Sequence, residues 1–139
     1  MDDYRDAIAS CCRQLRLSAN LADHAFAIQG ETHQEYLYNL LSEEIKCRKA
    51  ARIGKLIHSA GFPVQHNFAA FQPDEVQFPS GVTPESLKAL EFFHAGNNLV
   101  MYGSTGTGKT MLSICIGMEA CRSGIPVKFF RTASLINQL

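Results

Sequence analysis

Apolar side chains recur at helical spacing over the first sixty residues. Between Ile8 and Leu15 they stand three and four positions apart, which predicts one helix. Ser18 then offers an N-cap for a second helix that Gly30 can end. The chain is therefore expected to begin with two short amphipathic helices.

A longer helix is predicted to follow. It begins at a T-x-x-E capping box that starts at Thr32, and it stops before Gly61. Apolar residues within 37–45 mark one stripe of this helix and those within 53–57 mark another, and the two stripes lie well apart on a helical wheel. We therefore expect the helix either to change its packing partner near Lys46 or to bend there.

The pattern loses its period after this helix. Residues 62–82 include Pro63, Pro73 and Pro79 and show no clear period, so they are predicted to form a linker. Thr83 can then cap a helix that has proline at its first position.

Two short apolar runs flank a further helix in the last third of the chain. Residues 97–103 and 126–131 each suit a buried strand, and Gly124 would end the helix between them. A last helix would begin at a cap on Thr132. The order strand, helix, strand predicts an α/β arrangement.

The loop between the first predicted strand and this helix gives the clearest chemical signal. It matches G-x-x-x-x-G-K-[ST], a phosphate-binding motif in which glycines let the backbone approach the ligand and the helix N-terminus attracts negative charge. Lys109 would neutralise the β- and γ-phosphates, and the Thr110 hydroxyl would ligate Mg²⁺. The candidate cofactor-binding residues are Gly103, Ser104, Thr105, Gly106, Thr107, Gly108, Lys109 and Thr110. The alternative is a chance glycine-rich turn.

No catalytic residue is predicted. Hydrolysis needs an acidic metal ligand on a second strand and a group that positions water. After Thr110 the only acidic residue is Glu119, which lies about two and a half helical turns beyond the loop. Arg122 and Arg131 are interpreted as solvated charges at the ends of a helix and a strand.

The expected fold is a helical N-terminal region followed by the first βαβ portion of a three-layer P-loop NTPase domain, truncated. Two strands are too few for a parallel sheet covered on both faces, so the 139 residues are expected to be the front portion of a longer protein. The predicted limits are 1–61 for a helical N-terminal domain, 62–82 for the linker and 83–139 for the incomplete NTPase domain.

Composition narrows the function classes. The net charge is zero, so the chain as a whole carries no nucleic-acid or membrane signature, and it contains no apolar run long enough to span a bilayer. Five cysteines without a C-x-x-C pair suit reduced thiols in the cytoplasm. Neither the cysteines nor the histidines show a familiar ligand spacing, so no metal site is predicted from them.

One basic cluster lies on the long helix. Arg48, Arg52 and Lys55 share a face at i, i+4 and i+7, which would suit contact with the phosphate backbone of DNA. The alternative is a solvated helix face in which Glu44 pairs with Arg48. Both interpretations stay open, and the candidate DNA-binding residues are Arg48, Lys49, Arg52 and Lys55.

Most of the chain resembles a known family. The stretches "LYNLLSEEIKCRKAARIGKLIHSAGFP" and "NNLVMYGSTGTGKTMLSICIGMEACRSGIPVKFFRTASLINQL" are similar to the IstB-like ATPases, helper proteins of insertion-sequence transposition that are related to DnaC-type helicase loaders. Two departures concern the loop: Ser104 and Thr105 stand where the family commonly has prolines. In addition, Met111 replaces a residue that is often histidine.

The resemblance implies an AAA+ ATPase that assembles on DNA and engages a transposase. It also implies ATP and Mg²⁺ as ligands of Gly103, Gly106, Gly108, Lys109 and Thr110, and a homo-oligomer where the full domain is present. The family's acidic metal-binding strand, sensor and arginine finger would lie beyond residue 139. If this chain were the whole gene product, ATP turnover should be absent.

Other functions stay open. The same fold could serve as a DnaC-like loader of a replicative helicase. The chain could instead be a non-catalytic DNA- or protein-binding fragment with a relic P-loop. A small-molecule P-loop kinase is a further alternative, against which the helical N-terminal region argues.

Overall fold

A computed structural model describes residues 2–73 and 76–137. The chain divides into two compact units, Met1–Arg52 and Ile53–Leu139. This division falls inside one helix, and the stretch predicted to be a linker belongs to the second unit. The three predicted domain limits themselves stay a prediction.

The first unit contains two short helices and the start of a long one. Helix α1 spans Asp2–Gln14, α2 spans Leu21–Ala27 and α3 spans His33–Ala60, which confirms the three predicted helices. Asn20, and not Ser18, is the N-cap residue of α2. Ser18 has a different role, since its backbone N–H donates to the carboxylate of Glu44.

The start of α3 is held by the predicted capping residues. The backbone N–H of Glu35 donates to the Thr32 hydroxyl at 3.1 Å, and the Glu35 carboxylate accepts from the backbone N–H of Glu31 at 2.9 Å. The helix then continues without interruption for 28 residues. It belongs to the first unit up to Arg52 and to the second from Ile53, so the change of unit comes later along the helix than Lys46, near which a change of packing partner or a bend is predicted.

The first apolar stripe of α3 does not build a core. Leu37, Leu41 and Ile45 are 54%, 47% and 67% exposed, although the spacing predicted a packed face. The buried residues described in this unit are instead Cys12, Leu21, Ala22 and Glu44.

The second unit packs around one helix that follows the glycine-rich loop. Besides the end of α3, its elements are a 3₁₀ turn at Phe68–Ala70 and the helices α4 (Pro84–Lys88), α5 (Glu91–His94), α6 (Lys109–Arg122) and α7 (Thr132–Ile136). The core consists of Phe71, Leu87, Leu90, Leu112, Cys115, Ile116 and Ala120. The predicted linker thus supplies a core residue, Phe71.

The helix predicted after Thr83 is broken into two. The cap is confirmed, because Thr83 and Ser86 form a reciprocal capping box. Leu90, however, adopts a left-handed conformation with φ +58° between α4 and α5. Its side chain is only 2% exposed, so burial in the core accompanies this unfavourable backbone geometry.

No β-strand occurs in residues 2–73 and 76–137, so the predicted βαβ arrangement is not confirmed. Residues 97–103 and 126–131 lack regular secondary structure, because a strand requires backbone hydrogen bonds from a neighbour and these two segments form none with each other within the described structure. The backbone N–H of Phe129 donates instead to the carbonyl of Ala60, at the end of α3. Val100 and Tyr102 are 80% and 93% exposed.

All five cysteine thiols are free, and they differ widely in exposure. Cys11 is exposed and Cys12 buried in the first unit, whereas Cys115 and Cys121 are fully buried in α6. Burial raises the pKa of both α6 thiols, and the negative charge of Glu119 raises that of Cys115 further.

None of the described helices combines the length and apolarity needed to cross a bilayer.

Candidate phosphate-binding loop

Three glycines of the loop adopt backbone angles that other residues rarely reach. Gly103, Gly106 and Gly108 have φ values of +142°, +86° and +83°. A side chain at any of these positions would strain the backbone. The conformation of the loop therefore requires glycine at these three positions.

Helix α6 begins directly at the end of the loop. Gly108 is its N-cap residue and Lys109 its first helical residue. The unpaired backbone N–H groups of the first turn and the helix dipole make such a terminus attractive to anions. Because α6 is 14 residues long and contributes Leu112, Cys115, Ile116 and Ala120 to the core, the loop is attached to a well-packed element.

The ammonium group of Lys109 is bound to its own loop. Its Nζ donates to the Gly103 carbonyl at 3.0 Å, to the Ser104 carbonyl, and to the Thr107 hydroxyl at 3.3 Å. The Thr107 hydroxyl in turn donates to the Ser104 carbonyl at 2.9 Å. Four of the predicted residues are thus brought together around one positive charge.

The remaining predicted residues lie at the rim of the loop. Thr105 and Gly106 form its exposed tip, and the side chain of Thr110 is exposed one residue after Lys109. Thr110 is therefore open to solvent at the start of α6.

An apolar cavity of about 610 Å³ adjoins the loop. Gly103, Thr107, Gly108 and Lys109 form its polar side. No carboxylate is among the described residues that line it. The rest of the lining is Val76, Gln77, Phe78, Pro79, Val82, Leu87, Leu99, Val100, Met101, Tyr102 and Leu112.

The Phe71 ring packs close to the loop at Gly108. A Cβ atom placed on Gly108 would lie 4.0 Å from Cε2 of the Phe71 ring, which is itself 8% exposed and edge-on to Phe68. Neither Phe68 nor Phe71 is among the residues that the sequence predicts for the site. A phenylalanine in a proline-rich stretch is a weak signal, since it shows no period that predicts where the ring packs.

Glu119 lies away from the loop and is paired within α6. Its carboxylate accepts from Arg122 Nη1 at 2.6 Å, an i,i+3 ion pair. Arg122, which the sequence predicts to be a solvated charge at the end of a helix, is thus the last residue of α6 and is bound to Glu119.

The basic cluster on α3 is divided between bound and exposed charges. Arg48 donates from Nε to Glu44 Oε1 at 2.6 Å and from Nη2 to the Arg16 carbonyl, which confirms the pairing of Glu44 with Arg48. Lys49, Arg52 and Lys55 are exposed and form no ion pair with any described residue.

Glu44 is a buried carboxylate with a full set of partners. Burial alone would raise its pKa, but the hydrogen bonds from Arg48 and Ser18 and the charge of Arg48 outweigh that effect and lower it. Arg48 therefore serves to compensate a buried charge.

The chain is similar to known proteins over most of its length. It matches the family model of the IstB-like ATP binding protein over residues 14–139. It is 30% identical to an ATP-binding protein of an insertion sequence from Geobacillus stearothermophilus, over 97% of this chain and 56% of that protein. It is 28% identical to an insertion-sequence ATP-binding protein of Mycobacterium tuberculosis, over 96% of this chain and 55% of that protein.

A third relative, an IS21-like ATP-binding protein of Bacteroides fragilis, is 26% identical over 89% of this chain and 49% of its own length. These relatives define a class, the ATP-binding proteins of insertion sequences. The chain belongs to the IstB-like ATP-binding protein family, which confirms the resemblance seen in the sequence. Membership of this family supports the α/β fold class broadly. The chain spans about half the length of the relatives it matches.

Proposed function

We propose that the loop Gly103–Thr110 binds the phosphate groups of ATP. The observation that carries this proposal is the geometry around Lys109: three glycines with positive φ fold the loop around its ammonium group at the start of α6. A cation and a helix N-terminus directed at one space form a favourable site for a phosphate. The family's name points to the same ligand.

Binding would exchange the partners of Lys109. Its Nζ is held by the carbonyls of Gly103 and Ser104, and phosphate oxygens carry more negative charge than carbonyls. An incoming triphosphate would therefore draw the ammonium group from these oxygens. The exposed Thr110 hydroxyl would ligate a Mg²⁺ ion bound with the nucleotide.

The apolar cavity beside the loop would hold the base and sugar. Its lining combines Val76, Phe78 and Met101 with the polar backbone near Lys109, which suits a flat ring joined to a charged tail. No carboxylate that could hold the metal is among the described residues that line the cavity, so an acidic metal ligand would have to come from elsewhere.

The wider role proposed is that of an AAA+ helper of DNA transposition, which assembles on DNA as a homo-oligomer and engages a transposase. It rests on the insertion-sequence context of the relatives. A helicase-loader role, or a binding fragment with a relic loop, is the alternative. The free thiols fit the cytoplasm, where this role would be performed.

Direct contact with DNA is proposed for the exposed cations of α3. Lys49, Arg52 and Lys55 have no competing ion pair in the described structure, whereas the guanidinium of Arg48 is engaged by Glu44. Contacts of this kind are sequence-independent and weaken with salt, which provides their test.

The nucleotide proposal is tested by the affinity of the chain for Mg²⁺-ATP, measured by calorimetry on the wild type and on Lys109→Ala. Loss of a charged hydrogen bond is worth about 1.5–3 kcal/mol, so we expect the variant to bind roughly 10- to 150-fold more weakly. Lys88→Ala, which removes an exposed lysine on α4, is the matched control and should bind as the wild type does.

Equal affinity of Lys109→Ala and the wild type would contradict the proposed role of the lysine. A folded wild-type chain that binds no nucleotide would favour the relic-loop alternative.

A further inference from the structure

Three potential metal ligands meet in the first unit. Glu43 and Cys47 stand four residues apart on α3 and so share one face of that helix. His24 comes from α2. One ligand atom of each residue lies within 4.8 Å of the other two.

The imidazole of His24 is incompletely satisfied. Its Nδ1 atom is buried and has no hydrogen-bond partner among the described residues. A buried polar nitrogen without a partner costs free energy, and such exceptions call for an explanation. A bound cation would supply one, because neutral imidazole is a common ligand of divalent metals.

Neighbouring contacts hold the two helices in place around these residues. The Tyr36 hydroxyl donates to the Ala25 carbonyl at 2.7 Å, and Asn39 Nδ2 donates to the Gln29 carbonyl at 3.2 Å. Both bonds join the α2 region to α3. The ligands are therefore brought together by the packing of the unit and do not depend on a metal to meet.

The donor set indicates which ion would bind. A thiolate, an imidazole and a carboxylate are the ligands that Zn²⁺ takes in proteins, with bonds of about 2.0–2.3 Å. A tetrahedral site with such bonds places its ligand atoms about 3.3–3.8 Å apart. From separations within 4.8 Å, the side chains need to close by about 1 Å, which rotamer changes of Glu43 and Cys47 can supply.

One existing contact would be disturbed. Glu43 Oε2 accepts from Lys46 Nζ at 3.2 Å, in an ion pair whose lysine side chain is 73% exposed. Exposed pairs of this kind are weak and would not prevent coordination.

We propose that His24, Glu43 and Cys47 form a Zn²⁺ site that joins α2 to α3, with a water molecule in the fourth coordination position. The usual spacing rules do not detect it, because its ligands come from two helices and only Glu43 and Cys47 are close in the sequence.

The test is a titration of the full, reduced, metal-free chain with Co²⁺, followed by displacement with Zn²⁺. Co²⁺ bound to a thiolate gives a ligand-to-metal charge-transfer band, so the spectrum reports on Cys47 directly. We expect one Zn²⁺ per chain. Cys47→Ser should abolish the band, and His24→Gln should weaken Zn²⁺ binding by about tenfold or more.

Two further variants make the result decisive. Cys11→Ser removes an exposed thiol outside the cluster and should behave as the wild type. Glu43→Gln changes a half-exposed carboxylate and should weaken binding while leaving the helical circular dichroism unchanged. A charge-transfer band that persists in Cys47→Ser, or a Zn²⁺ affinity that Glu43→Gln and His24→Gln leave unchanged, would overturn the proposal.

Discussion

Glu44 carries a charge that is buried inside the first unit. Its side chain is 4% exposed, accepts from the Ser18 backbone at 3.0 and 3.2 Å, and binds Arg48. It thereby connects the turn after α1 to the middle of α3. A buried carboxylate with these partners stabilises the fold only while it is ionised.

We predict that Glu44→Gln lowers the free energy of unfolding at pH 7 by about 1–3 kcal/mol, because a neutral amide leaves Arg48 without its counter-charge. The folded state lowers the pKa of Glu44. Its contribution is therefore complete above the usual glutamate pKa of about 4.3 and disappears as the pH falls through the lowered value. Urea unfolding, followed by circular dichroism from pH 7 downwards, measures both effects.

Asp6→Asn on the exposed surface of α1 is the control, and its stability should lie within about 0.5 kcal/mol of the wild type. If the free energy of unfolding falls with pH in the same way in Glu44→Gln and in the wild type, another carboxylate is responsible for the acid sensitivity of the fold.

At this scale the sequence predicted the loop glycines, Lys109 and Thr110, because the motif encodes a local backbone conformation. Which residues bind ATP stays a prediction. It did not predict that Lys109 would bind its own loop carbonyls. Nor did it predict His24 near Cys47, since that proximity depends on how two helices pack.

Gly54, inside α3, and Gly30, which precedes it, differ in the space that they leave for a side chain. Gly54 lies inside the helix, and a Cβ added there would meet nothing within 4 Å. A Cβ added at Gly30 would lie 2.8 Å from Tyr36 Cα and 3.0 Å from the Glu35 carbonyl carbon, both of them backbone atoms that cannot move aside cheaply.

We predict opposite effects for the two alanine substitutions. Gly54→Ala should raise the free energy of unfolding by about 0.5–1 kcal/mol, because alanine has the higher helix propensity. Gly30→Ala should lower it by about 1–3 kcal/mol through the displaced start of α3. Thermal unfolding of both variants beside the wild type measures the difference, and a shift of the same sign in both would contradict this account.

Helices and caps were predictable because their signals are local. Thr32 and Thr83 are followed by side chains that complete their caps within three residues. The strands were not, because a strand requires a partner that a single segment cannot specify. The break at Leu90 was also missed, since a leucine in a helical pattern gives no warning of a left-handed backbone.

At the scale of the molecule, zero net charge means that any affinity for DNA has to come from a local set of cations. We predict that replacing Arg52 and Lys55 together by alanine flattens the dependence of DNA affinity on salt by about two units of slope on a double-logarithmic plot, since each phosphate contact contributes about 0.9. Fluorescence anisotropy with a labelled duplex, from low to physiological salt, measures the slope.

The control is the exposed pair Arg13→Ala with Lys88→Ala, which removes one charge from each unit, as the tested pair does, but from α1 and α4. If both double variants lose affinity equally, the effect is one of total charge and the α3 cations have no special role.

The cysteine thiols differ in burial, so the rate at which each one is chemically labelled reports on local unfolding around it. The thiolate is the nucleophile that attacks a thiol-reactive reagent, so the exposed Cys11 should be labelled at once, while Cys115 and Cys121 react only when α6 leaves the core. Cys12 reports in the same way on the first unit. One time course of mass spectra, with no added probe, would therefore time the opening of each unit separately and show which one a nucleotide or a metal ion holds closed.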